Sequence, residues 1–187
     1  DPSFGMRARW VATSRRAAMT EIPAVVRLLE TGSIELKVLT LIVLQDVGSL
    51  STERSLRALL ALADGRDAGV APEALTVLGR MATQRSAVLP TLVRALEDTS
   101  PEIRVRAARA LAEIGDSGPE ALARFGAKFR DPDPSVRMWT GAAVAKLDPE
   151  NRRELIDQLT RALKTRSLRP TAIETVGFLG PLAETAV

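Results

Sequence analysis

Asp98 and Arg104, Asp131 and Arg137, and Asp1 and Arg7 stand six residues apart, and each arginine directly follows an apolar residue: Ile103, Val136 or Met6. A carboxylate and a guanidinium held at fixed spacing can pair as ions, and that is the chemistry these positions offer. A second charged run, Arg152, Arg153, Arg161, Lys164, Arg166 and Arg169 against Glu154 and Asp157, carries a local charge of +4 over residues 152–169. Arg161 and Lys164 follow the two acids at helical spacings, so paired charges on a solvated helix face are the simpler expectation; a phosphate-binding patch is the other. Bond-breaking chemistry would need other residue types. There is no His and no Cys, which removes imidazole bases, thiolate nucleophiles, disulfides and the usual zinc sites. There is also no Gly-rich phosphate loop, no nucleophile elbow, and no carboxylate pair in surroundings that would drive two pKa values apart. No enzyme, cofactor or metal site is expected.

The elements that must position these charges are helical. The chain is 45% hydrophobic and 26% charged but only 3% aromatic, a mixture that favours helices packed through small and branched aliphatics. Of its 26 basic residues 22 are Arg, and against 23 acids they leave a net charge of only +3, so the high pI is weak grounds for a nucleic-acid partner. No apolar run reaches the roughly 20 residues of a membrane helix; the most apolar stretch, Val38–Val47, contains Thr40, Gln45 and Asp46. Met6–Arg16 alternates Arg with small residues and does not read as a signal peptide. The cytoplasm is the default compartment.

Periodicity supplies the architecture. Leu36-Lys37, Val70-Ala71, Ile103-Arg104, Val136-Arg137 and Leu168-Arg169 recur at steps of 34, 33, 33 and 32 residues. In the same register fall Leu44, Leu78, Leu111, Val144 and Val176, and then Val47, Met81, Ile114, Leu147 and Leu179. This spacing is the buried stripe of an amphipathic helix. Between these helices the sequence predicts a second set at roughly 20–30, 51–64, 86–97, 118–130 and 149–165, for about eleven helices in all. Start signals are Ser117–Glu120 as a capping box, and Asp133-Pro134 and Asp148-Pro149 as Asp caps followed by Pro. Gly48, Gly115 and Gly180 are stop signals. A helical period of this length means stacked units that bury their apolar faces against one another.

Asp98–Gly115 and Asp131–Leu147 resemble the HEAT-repeat signature, Asp-Pro-Ser-Val-Arg followed by Ala-Ala-x-Ala-Leu-x-x-Ile-Gly, and in particular the short bacterial type found in bilin-lyase-type HEAT repeats. The likeness is strongest over 86–148 and weakest over 1–35. It implies an all-α, right-handed superhelical solenoid of about five and a half helical hairpins forming one array over residues 1–187. The array is expected to be a piece of a longer repeat protein, since the pattern is cut at both ends and a new helix begins at Pro181. In that family the Asp–Arg residues form a ladder of ion pairs between successive units, each worth about 0–1 kcal/mol if exposed.

The resemblance also implies that the outward stripe of the later helix in each unit lines a concave surface. Its positions are Leu39, Ile42 and Asp46; Glu73, Thr76 and Arg80; Arg106, Arg109 and Glu113; Trp139, Ala142 and Lys146; Thr171, Glu174 and Phe178. Trp139 is the candidate anchor for a protein partner, with Arg106, Arg109 and Lys146 selecting an acidic or polar one; the alternative is that Trp139 folds down over a neighbouring helix. The helix Ile34–Val47 is apolar on nearly every side, so either missing repeats cover it or a partner does. The expected function is a protein-interaction scaffold that binds a partner protein or other domains of its own chain. The alternatives are a nucleic-acid-backbone binder, as in the HEAT-like alkylpurine DNA glycosylases, and a spacer. HEAT-like iron-dependent hydroxylases need His ligands that this chain lacks, and with bilin lyases it shares only the fold.

Overall fold

The computed structural model describes residues 22–47, 52–65, 67–115, 119–146 and 150–186. Ten α-helices lie in these residues, and no strand: α1 Ile22–Thr31, α2 Ile34–Val47, α3 Glu53–Ala63, α4 Ala71–Gly79, α5 Arg85–Ala95, α6 Pro101–Ile114, α7 Pro119–Lys128, α8 Pro134–Ala145, α9 Glu150–Lys164 and α10 Arg169–Leu179. Two 3₁₀ segments, Ala82–Gln84 and Gly180–Ala186, complete the set. The first expected copy, with Asp1 and Arg7, lies outside the described residues, as do Gly48, Ser117 and Gly118 of the Ser117–Glu120 box, and the Asp148-Pro149 cap.

The helix ends follow the local chemistry. The Asp133 carboxylate accepts from the Ser135 and Val136 N–H groups at 2.7 and 3.4 Å, and Pro134, which has no N–H to satisfy, opens α8. Thr52 caps α3 in the same way through the Ser55 N–H at 3.2 Å. Gly115 ends α6 at φ +70°, a left-handed conformation that any side chain would strain. The helix expected from Pro181 is a 3₁₀ segment. That segment, Gly180–Ala186, opens on the positive-φ Gly180, and Pro181 removes a backbone donor from its first turn.

The described chain divides into two compact units between Thr91 and Leu92, within α5. In the first, α1 packs on α2 and α3 on α4, while α1 also meets α3 and α2 meets α4. In the second, α7 packs on α8 and α9 on α10, and α8 lies against both α6 and α10. Pairs of helices joined by short loops, touching their sequence neighbours through like helices, are the repeat arrangement that the periodicity implied. The aligned apolar columns are inside: Leu44, Leu78, Leu111 and Val144 are buried, as are Met81, Ile114 and Leu179. In the second unit Met138, Ala142, Ala145, Leu155, Leu159, Ala162, Ala172 and Leu179 form one apolar cluster.

The first unit leaves part of its apolar surface in water. Leu41 and Leu44 of α2 are buried, yet Ile34, Leu36, Leu39 and Ile42 of the same helix are exposed, Leu39 at 58%. Ion pairing joins its earlier helices, where Arg54 grips Glu30 at 3.0 and 2.6 Å. That hydrogen-bonded guanidinium holds the Glu30 carboxyl below its ordinary value.

Candidate functional site

The paired charges make a different contact from a simple Asp–Arg bridge. Arg104 Nη1 donates to the backbone carbonyls of Asp98 and Thr99 at 2.9 and 3.1 Å. Arg137 Nη1 does the same to Asp131 and Pro132 at 2.6 and 3.1 Å. Arg169 Nε repeats it once more on Leu163 at 2.8 Å. In each loop the arginine therefore closes the turn through the carbonyl six residues back. The acid side chains serve the turn itself, Asp98 accepting from the Ser100 N–H at 2.8 Å and Asp131 from the Asp133 N–H at 2.9 Å.

The link between successive repeats of the second unit comes from the other edge of the guanidinium. Arg104 Nε and Nη2 meet the Asp131 carboxylate at 2.9 and 3.0 Å, a bidentate fork between one loop and the next. The two side chains are only 10% and 3% exposed, so this is a buried rung and not the solvent-screened pair that the sequence suggested. Burial pushes the Asp131 carboxyl up. Hydrogen bonds from Arg104 and from the Asp133 N–H, with the Arg104 and Lys128 charges, outweigh burial and hold it below its ordinary value. The hydrogen bond to Asp131 raises the Arg104 guanidinium in turn. The pairing is present in the spacing, one repeat period less six residues, once charges are paired across successive repeats instead of within one.

The predicted outward stripe of the second unit converges on α8. Arg109 of α6 donates from Nε to Glu113 at 2.9 Å and from Nη1 to Glu174 of α10 at 2.6 Å. It thereby spans α8, with its guanidinium carbon 5.1 Å from the centre of the Trp139 ring. Phe178 of α10 meets the same indole edge-on, centroids 5.5 Å apart at 63°. Trp139 is consequently 2% exposed, which corrects the expectation of an exposed anchor. The reason is its place on the middle helix of three, where the flanking helices reach over it; Ala142 is buried for the same reason. The cation–π and edge-to-face contacts are each worth about 0.5–2 kcal/mol.

Beside this covered indole lies an open groove of about 390 Å³, lined by Val105, Arg106, Arg109, Trp139, Thr171 and Glu174 among others. Three of the four expected surface residues, Arg106, Arg109 and Trp139, thus share one groove. Lys146 is not in its lining; its ammonium stands 3.5 Å above the Phe178 ring and joins the others through that ring. Glu113, Glu174 and Phe178 were on the expected stripe, but spacing alone did not reveal that they hold Arg109 and Trp139.

In the first unit the stripe is tied up differently. Gln45 donates to Glu73, and Arg80 to the Gln45 carbonyl, while Thr76 is buried and turned back on the Pro72 carbonyl at 3.0 Å. The basic run on α9 is also divided. Arg152 donates to the Ala145 carbonyl at the end of α8 at 3.1 Å and Arg169 to Leu163, so two of its six cations are engaged by backbone carbonyls. Among the described residues no ion pair joins Arg161 or Lys164 to Glu154 or Asp157, contrary to the expected helical pairs. No group of acids able to hold a metal occurs among the described residues, and no described helix is long and apolar enough to cross a membrane.

The family pattern of HEAT repeats matches residues 56–145. Among solved structures, the chain is similar to a designed armadillo repeat protein in complex with the peptide (KR)4, at 19% identity and a TM-score of 0.55, covering 92% of this chain and 91% of that one. It is also similar to a computationally designed armadillo repeat protein for modular peptide recognition, at 19% identity and a TM-score of 0.50, covering 83% and 81% of the two chains. No curated protein matches the chain. The resemblance to HEAT repeats therefore holds over residues 56–145, and the fold is an all-α repeat solenoid of the armadillo-like kind.

Proposed function

We propose that the chain acts, as one array over residues 1–187, as a protein-interaction scaffold without catalytic activity of its own, and that it binds an extended segment of a partner protein in the groove over Trp139. The observation that carries this reading is the convergence of α6, α8 and α10 on one open groove, with Arg106, Arg109 and Glu174 beside a fixed indole. Two similar solved proteins were made for or solved with peptides, which supports the same class of partner. In this reading Trp139 is the floor and not the anchor. Arg106 lines the groove beside the carboxylates of Glu102, Asp133 and Glu174, which suits a polar segment of mixed charge, and the Glu113–Arg109–Glu174 bridge keeps the groove in shape. A rigid array of this kind loses little conformational freedom on binding.

The test is selection of binders from a random peptide library, followed by affinity measurement on two variants. Thr171→Trp fills the groove and Arg106→Glu reverses one of its cations; each is expected to weaken selected peptides by about tenfold or more. Unchanged affinity in both would remove the groove from the mechanism. A nucleic-acid backbone as the true ligand would instead give binding to single-stranded oligonucleotides whose logarithm falls with log salt at about −0.7 per phosphate contacted.

A further inference from the structure

Arg104, Arg137 and Arg169 close their loops alike, but they differ in what the rest of the guanidinium meets. Arg104 turns Nε and Nη2 onto the Asp131 carboxylate of the following loop. Arg137 uses Nη1 on its own loop carbonyls, and its Nε and Nη2 have no acceptor among the described residues. The reason is in the following loop, where the register places Leu163 at the position of Asp131. The Leu163 carbonyl still receives its arginine, while its side chain packs against the apolar cluster. The repeat thus retains the arginine half of a second rung without the carboxylate half.

Arg137 borders a cleft of about 330 Å³ between α8 and α9. Arg161, Gln158 and Thr165 also line it, with Met138 and Leu168 as its apolar part, and no carboxylate is among its lining residues. Arg161 is exposed, and its side chain makes no hydrogen bond or ion pair among the described residues. Glu154 borders a separate, smaller cleft that Arg137 also lines, and among the described residues it forms no ion pair with Arg137.

We propose that this cleft binds a carboxylate side chain from an acidic segment of a partner protein, seated on Arg137 as Asp131 is seated on Arg104. The protein itself supplies the geometric precedent, a planar fork taking two carboxylate oxygens at the same repeat position. Arg161 adds a second cation, and Gln158 and Thr165 add groups able to bond a peptide backbone. The apolar part suits the stem of a glutamate and its neighbours, and two cations are few for a sugar–phosphate chain. The cleft is separate from the groove over Trp139, so either can fail without the other.

Fluorescence anisotropy of a labelled tetraglutamate peptide against the whole chain tests the proposal, with tetraglutamine, inorganic phosphate and a single-stranded oligonucleotide as competitors. The acidic peptide is expected to bind, and tetraglutamine to bind at least about tenfold more weakly. Arg161→Gln should cost about tenfold, whereas Arg153→Gln, which removes a cation from the same helix outside the cleft, should stay within about twofold. Arg137→Lys keeps the charge but loses the fork and should weaken binding as Arg161→Gln does, checked in samples whose circular dichroism matches the parent. No binding of tetraglutamate, equal binding of both peptides, or an unchanged affinity in Arg161→Gln overturns the proposal. Displacement by the oligonucleotide or by phosphate at lower concentration than by the peptide itself overturns it as well, because the cleft would then be a phosphate site.

Discussion

Replacing Asp131 by alanine removes the carboxylate from the buried rung and leaves the Arg104 guanidinium inside the protein. Arg104 keeps two carbonyl partners on its own loop, but its Nε and Nη2 lose both acceptors. With the pair only 10% and 3% exposed, little water is available to replace the lost contacts. Breaking a buried pair at one end costs about 3–5 kcal/mol, and loss of the turn bond to the Asp133 N–H adds about 1 kcal/mol. The control is Glu30→Ala. Its partner Arg54 is 61% exposed in a similarly bidentate bridge, so about 0–1 kcal/mol is expected there. Urea unfolding followed by Trp139 fluorescence in a Trp10→Phe background reports on the second unit, and circular dichroism reports on both. The double variant Arg104→Met with Asp131→Leu should recover part of the loss, because it removes the orphaned charge along with its partner while giving up the two loop-closing bonds to Asp98 and Thr99. If Asp131→Ala costs no more than Glu30→Ala, or the double variant is worse than the single, the burial argument is wrong.

The same rung sets a pH dependence. The folded Asp131 carboxyl titrates below its ordinary value, so its stabilisation is complete above the unfolded pKa of about 4 and is lost as pH falls through the lower folded value. Acid titration of the second unit should therefore show Asp131→Asn less stable at neutral pH and flatter in its acid limb than the parent protein. Trp139→Ala should destabilise the second unit by about 3–5 kcal/mol, measured by urea unfolding, because it opens a cavity under the Arg109–Glu174 bridge. Gly115→Ala should lower stability by about 1 kcal/mol in calorimetry: its added Cβ meets no atom, so the cost is the left-handed backbone alone.

The fold was legible because its signals are one-dimensional. The 33-residue register placed Leu44, Leu78 and Leu111 in one column, and each is buried. The expected starts near 118 and 149 lie within a residue of α7 and α9. The site was legible only in membership. Register identified Arg106, Arg109 and Trp139 as neighbours, and they do share a groove. Their direction was hidden, because the exposure of a stripe position depends on how closely the next two helices approach, and spacing within one helix carries no measure of that. Trp139 has a flanking helix on each side and is covered, while Leu39, at the same register position on α2, is open. The paired charges show the same limit. Asp131 and Arg137 look like partners because they are close in sequence, but the turn brings the arginine to the carbonyl and turns the carboxylate toward Arg104 of the preceding repeat. A repeat therefore states its contacts modulo one period, and the choice between neighbour and self is made by packing. Arg137 is where that choice leaves a side chain half used, so the departure of Leu163 from the pattern is more informative about partners than the pattern itself.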